Sequence, residues 1–279
     1  VWLPAYTAKK LQIDANPKHL VYALKAAGRS DALPPLLAAL GSGKLAPDDV
    51  AAVLGVISDV GDAAQLQKMA SMIDQPVLQN ARDAALDALI RAAETRKVVP
   101  AGAAAFADVW LKSPDVAVAS RAARLVGLWK LEASRGLLAG WLGDAARPME
   151  LRTAAMHGLA ALGGVGSRDL FDQTLHSSTD IGMKVLMIDG LSYVGPQMAA
   201  QRAVEFLATA ENGQGVAAVY STFLRNKQLP NVLAAALKGK TIAQAAAVEG
   251  IRMASSRGLQ GALPDALKVA GGVKQMDRP

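Results

Sequence analysis

The sequence predicts an all-α fold, a right-handed α-solenoid of about eight helix pairs, on three observations. Hydrophobic residues make up 52% of the 279-residue chain while aromatics are only 4%, and 56 residues are alanine. A core so poor in strand formers has to be built from Ala, Leu and Val at close helix contacts. Glycines that close amphipathic segments recur at Gly28, Gly61, Gly127, Gly163, Gly195 and Gly258, at intervals of 33, 66, 36, 32 and 63 residues. These are one or two units of about 33, the signature of a helical repeat array. Prolines stand where apolar periodic runs begin, where a missing N–H and a fixed φ suit the first turn of a helix.

The helix pairs fall roughly at 14–40, 47–73, 76–112, 115–143, 148–177, 180–210, 213–238 and 241–270, with 1–13 as a lead-in and 271–279 as a tail. Pro17, Pro47, Pro76, Pro114, Pro148, Pro196, Pro230 and Pro264 mark helix starts. Asn16, Asp48, Ser113, Asp115, Asn231 and Asp265 lie beside them as capping groups. In the fourth pair, Val118, Ala122, Leu125, Val126 and Trp129 form one apolar stripe, with Arg121 and Arg124 on another. Leu137, Leu138, Trp141 and Leu142 form the stripe that follows. The third and fifth pairs repeat the form as Arg82-Asp-Ala-Ala-Leu-Asp-Ala-Leu89 and Arg152-Thr-Ala-Ala-Met-His-Gly-Leu159, with small residues where helices must approach closely. The expectation is a single domain over 1–279, cut from a longer polypeptide, since the chain opens on Val1 and closes on Lys274-Gln-Met-Asp-Arg-Pro279.

The Arg-x-Ala-Ala-x-x-x-Leu phrases resemble the HEAT-repeat, armadillo-like family over nearly the whole chain, which implies shape and not chemistry. A narrower resemblance lies in Asn16-Pro-Lys-His-Leu-Val-Tyr-Ala-Leu-Lys-Ala-Ala-Gly28, Asp31-Ala-Leu-Pro-Pro-Leu-Leu37 and Gly43-Lys-Leu-Ala-Pro-Asp-Asp49. These are similar to the HEAT section of large secreted bacterial proteins that join a dehydrogenase-type β-propeller to a c-type cytochrome. That resemblance implies a connecting solenoid, and a periplasmic or extracellular location. Without it, a cytoplasmic location is the expectation.

The absence of cysteine removes disulfides, thiolate zinc sites and Cys-x-x-Cys-His haem attachment from this chain. No apolar run approaches the roughly 18 residues of a membrane span. The net charge of +6 is mild, although from Arg225 onward nine basic residues face three acidic ones.

Candidate chemistry is sparse. His19, His157 and His176 are each alone in their repeats and match no zinc spacing. Gly43-Lys44 and Gly239-Lys240-Thr241 imitate a phosphate loop but lack its leading glycine and its strand, and Gly163-Gly164-Val165-Gly166-Ser167 reads as a helix stop. Ser120, Ser192, Ser221 and Ser255 have no histidine to activate them, Asp180 suits a cap and Asp189 a helix face. Trp110, Trp129 and Trp141, near Asp108, Asp115 and Asp144, permit an alternative: a HEAT-like enzyme or nucleic-acid binder, either a DNA-glycosylase-like protein with Arg121, Arg124 and Arg135 on phosphates or a bilin-lyase-like one. The tryptophans keep phase with Leu and Val of their own helices, which favours packing over nucleic acid.

The expectation is therefore a non-catalytic scaffold or protein–protein interaction module with no cofactor. Its partner would be a protein or neighbouring domains of the same polypeptide. Arg121, Arg124, Arg152 and Lys184 are the candidate partner-binding residues.

Overall fold

The computed structural model describes residues 33–210 and 213–273. The Asn16–Gly28 wording, His19, Pro17, the lead-in and the tail from residue 274 onward lie outside them. Among the described residues there are fifteen α-helices, two 3-10 segments and no strand. In chain order the helices are α1 (Pro34–Gly41), α2 (Pro47–Val60), α3 (Ala63–Ala70), α4 (Arg82–Arg96), α5 (Ala103–Leu111), α6 (Val116–Leu128), α7 (Arg135–Gly143) and α8 (Met149–Leu162), then α9 (Gly164–Ser177), α10 (Ile181–Val194), α11 (Pro196–Thr209), α12 (Val216–Phe223), α13 (Leu229–Ala236), α14 (Gln244–Ser256) and α15 (Ala262–Ala270).

Their starts follow local chemistry. Pro47 and Pro196 occupy the first turns of α2 and α11. Asp115 caps α6 by accepting from the Ala117 N–H at 2.9 Å, and Asp180 caps α10 by accepting from Met183 N at 2.6 Å. Asp62 and Gln65 close a reciprocal capping box at α3, each bond 2.9 Å, where the sequence reading had marked nothing. Two proline expectations differ in detail. Pro76 opens a 3-10 segment, Pro76–Ala81, ahead of α4, and Asn231 lies inside α13 while Asn226 accepts from the Gln228 and Leu229 N–H groups.

Three helix ends repeat one backbone device. Lys97 after α4 and Lys130 after α6 both take a left-handed φ of 58°, and Gly163 after α8 has φ 76°. The positions are 33 residues apart in each step, from 97 to 130 to 163. A left-handed residue past the helix end lets its N–H reach back to the last carbonyls.

The described residues up to Gly158 form one compact unit and those from Leu159 a second. In the first, α2 packs on α4 and α4 on α6, while α1 packs on α3 and α5 on α6. Its interior takes Val53, Leu54 and Ile57 of α2, Leu86 and Leu89 of α4, and Val118, Ala122, Leu125 and Val126 of α6. Each large aliphatic chain removed from water in this way contributes roughly 1.5–3 kcal/mol. In the second unit, α9 packs on α10, α10 on α11 and α12, α11 on α13, α12 on α14, α13 on α15 and α14 on α15. Phe171, Met187, Leu207, Tyr220, Phe223 and Leu267 fill its interior.

Small residues set the approach. A Cβ on Gly158 would run into the Ala123 carbonyl, and a Cβ on Gly250 into the Tyr220 ring. One expected core position is wrong: Leu137 is 42% exposed, whereas Leu138, Trp141 and Leu142 are buried. It stands one residue, about 100° of helix, from Leu138, at the edge where the apolar stripe turns outward.

Candidate functional site

A cleft of about 340 Å³ opens at the turn between α3 and α4, lined by Ile73, Asp74, Gln75, Pro76, Gln79 and Arg82. Its shape follows from the turn. Gln75 precedes a proline, which drives it to extended φ −92°, ψ 154° and ends any helical continuation. Pro76 then starts the 3-10 segment, which buried Leu78 anchors to the interior. The chain resumes as α4 at Arg82, so Asp74 and Arg82 face each other across eight residues.

Asp74 is held by two donors. Arg82 Nη2 donates to its Oδ1 at 2.5 Å, and Trp110 Nε1–H donates to its Oδ2 at 2.9 Å. Trp110 is fully buried on α5 and stacks on Phe106 with ring centroids 5.6 Å apart. Arg82 Nε is buried and has no hydrogen-bond partner among the described residues. Asp74 was absent from the sequence-based candidates. Asp108 pairs with Lys112 at 2.7 Å, Asp115 caps α6, and Asp144 lies 3.4 Å from Arg147. The one sequence hint to Asp74 is its separation of 36 residues from Trp110, about one repeat period.

The arginines obey a second rule. Arg91 pairs with Asp59 at 2.8 Å; Arg96 donates to the Ser58 and Gly61 carbonyls at 3.0 and 2.7 Å; Arg124 pairs with Glu94 at 2.5 Å. Arg121 grips Asp87 with Nε and Nη2, and its Nη1 lies 3.4 Å from Asp83. In the second unit Arg202 grips Asp172, Arg225 donates to Asp189 at 2.6 Å, and Arg257 donates to the Leu224 carbonyl at 2.6 Å. In every case the arginine lies later in the chain and its acceptor earlier, by 30 to 38 residues for the hydrogen-bonded pairs. Arg96 and Arg257 place a cation at the carboxyl ends of α2 and α12, where the helix dipole favours it.

Of the candidate partner-binding residues, Arg121 and Arg124 thus direct their guanidinium groups to α4. Arg152 Nε donates to the Leu142 carbonyl at 3.1 Å and ties α8 to the end of α7. Lys184 is half-buried on α10 and makes no ion pair among the described residues. The first three belong to the first unit and Lys184 to the second.

The other candidates scatter. Trp129 is buried 6.3 Å from the Trp110 ring, and Arg147 covers the Trp141 ring at 5.0 Å. His157 is half-buried on α8, and His176 Nδ1 lies 2.7 Å from the Asp172 carbonyl one turn back. Gly43 and Gly239 take left-handed φ values in turns between helices. Asp189 and Ser192, on α10, meet Thr222 and Arg225, whose guanidinium stacks 3.6 Å from the Tyr193 ring centroid. Among the described residues no three His, Asp or Glu side chains come together as a metal-binding group, and no helix is long and apolar enough to cross a membrane. No protein-family profile and no curated protein matches the sequence.

Proposed function

We propose that the chain is a non-catalytic scaffold, a right-handed HEAT-like α-solenoid of about eight helix pairs that docks a protein or holds neighbouring domains of its own polypeptide. The observation that carries this reading is the direction and spacing of the arginine cross-links. Seven arginines reach back about one period onto the preceding unit of structure. A repeat in which each unit presents acceptors forward and guanidinium groups backward is stabilised by its neighbours, as repeat arrays are. The left-handed ends at 97, 130 and 163 supply the same register from the backbone. Residues spent on such links hold spacing and do not converge on a substrate. The wording of residues 16–49 supports a connecting role in a larger secreted redox polypeptide.

Two experiments test this. Deleting residues 98–130, one period from cap to cap, should leave a helical, cooperatively unfolding protein, whereas deleting 98–113 should not; equal damage from both would remove the repeat reading. Immobilised chain should retain a protein partner or its flanking domains with an affinity indifferent to Asp74→Asn. Turnover of a small molecule that Asp74→Asn abolishes would replace the scaffold with an enzyme. Charge reversal of Arg121, Arg124, Arg152 and Lys184 together should weaken capture, and unchanged capture would clear those four residues of a partner role.

A further inference from the structure

We propose that the cleft at the α3–α4 turn binds a neutral amide, whose carbonyl accepts from the Arg82 guanidinium and whose N–H donates to the Asp74 carboxylate. This does not rest on the scaffold reading, because every group involved lies in the first unit and within one turn and the helices beside it.

The Asp74 carboxylate is pre-oriented. The Trp110 N–H that holds Oδ2 belongs to a ring that is fully buried and stacked on Phe106, so the acceptor cannot swing away with its donor. Each oxygen has further lone-pair capacity after these bonds, and Arg82 has more N–H donors than the one it gives Asp74. The charges of Asp74 and Arg82 cancel at 2.5 Å, so neither a free anion nor a free cation is selected by net charge. What the pair selects is a ligand carrying an acceptor and a donor side by side, which is an amide.

The rest of the lining agrees. Gln75 Nε2 donates to the Ser71 carbonyl at 2.9 Å, which leaves its Oε1 as a second acceptor, and Gln79 is exposed on the rim. The Nε of Arg82 is buried without a partner, a loss that a purely structural ion pair would avoid and that marks groups placed for another purpose. A volume of about 340 Å³ lies at the small end of ligand clefts. It suits a short stretch of extended main chain or a free small amide, which present the same chemistry.

The test is a titration of the whole chain, labelled with nitrogen-15, followed on its indole N–H resonances. The probes are N-acetylalanine N-methylamide and a capped tetra-alanine peptide. The Trp110 resonance, identified by its loss in Trp110→Phe, should shift saturably while those of Trp129 and Trp141 stay in place. Asp74→Asn and Arg82→Met should each weaken binding by about tenfold, the effect of one lost hydrogen bond to a charged group, without moving the Trp129 resonance. Should Asp74→Asn disturb the fold, Arg82→Met carries the test. Affinity that rises with peptide length identifies a peptide, and equal affinity for both probes identifies a free amide. No saturable shift with either probe up to its solubility, or binding undiminished in Arg82→Met, overturns the proposal.

Discussion

Arg121 of α6 holds Asp87 of α4 with two prongs of its guanidinium, Nε to Oδ1 at 2.8 Å and Nη2 to Oδ2 at 3.2 Å, across 34 residues of sequence. The fork geometry fixes the angle between the two helices as well as their distance. Because Asp87 is more than half exposed, solvent screens the pair. A double-mutant cycle of Arg121→Met and Asp87→Asn, read from urea midpoints, should give a coupling of about 0.5–1 kcal/mol. The coupling should shrink in 1 M salt, where the screening length is only about 3 Å. A cycle that closes at zero would make the link a bystander.

The left-handed lysines make an opposite forecast. Lys97 and Lys130 carry a Cβ in a conformation that glycine adopts freely, so each stores backbone strain at a helix end. Lys97→Gly and Lys130→Gly should each raise stability by about 0.5–1 kcal/mol despite loss of the Lys97 Nζ bond to the Glu94 carbonyl. Gly163 has φ 76° and ψ −157°, a region almost closed to other residues. Gly163→Ala should therefore lower the urea midpoint, and a neutral result would show that the turn rearranges.

Which parts of this were legible beforehand follows from the range of each signal. Proline at a first turn, an aspartate cap and an apolar stripe act within a few residues, so α2, α6, α10 and α11 stand where sequence places them. Asp180 was legible as a cap because its acceptor bond spans three residues. The Asp74–Trp110 bond was not, because it depends on which helices become neighbours, and three nearer aspartates competed in sequence. The arginine face of α6 was visible as charge, but its acceptors on α4 were not. Leu137 shows a finer limit: a period of 3.6 locates an apolar stripe without saying which edge meets water.

Tyr220 and Gly250 fit as knob and hole between α12 and α14, with a Cβ on Gly250 landing 2.7 Å from the Tyr220 Cε1. Gly250→Ala should cost about 1–3 kcal/mol by overpacking, more than the helix propensity of alanine returns. Tyr220→Leu should relieve that clash, so the double variant should be more stable than the sum of the single ones predicts. The Tyr220 hydroxyl is buried with no hydrogen-bond partner among the described residues, and burial pushes its phenol well above the ordinary 10. Removing that oxygen in Tyr220→Phe should be neutral or stabilising, by up to about 1 kcal/mol, in thermal denaturation.

Asp172 and Arg202 link α9 to α11, and this pair should shape the acid limb of stability. The Arg202 hydrogen bond holds the Asp172 carboxyl below its ordinary 3.8, against the opposing effect of partial burial, and the charges of Arg202, His176 and Arg168 act in the same direction. A carboxyl whose pKa is lower folded than unfolded stabilises the fold fully above the unfolded value and loses that contribution as pH falls through the folded one. Asp172→Asn should thus cost about 1 kcal/mol at neutral pH. The gap from the parent should stay constant down to about pH 4 and close below it. Arg202→Met should lose more at neutral pH, because Arg202 also donates to both Glu205 oxygens at 3.0 Å. Urea midpoints measured from pH 7 to pH 2 decide the matter: a gap that persisted at the acid end would mean that Asp172 acts through packing and not through its charge.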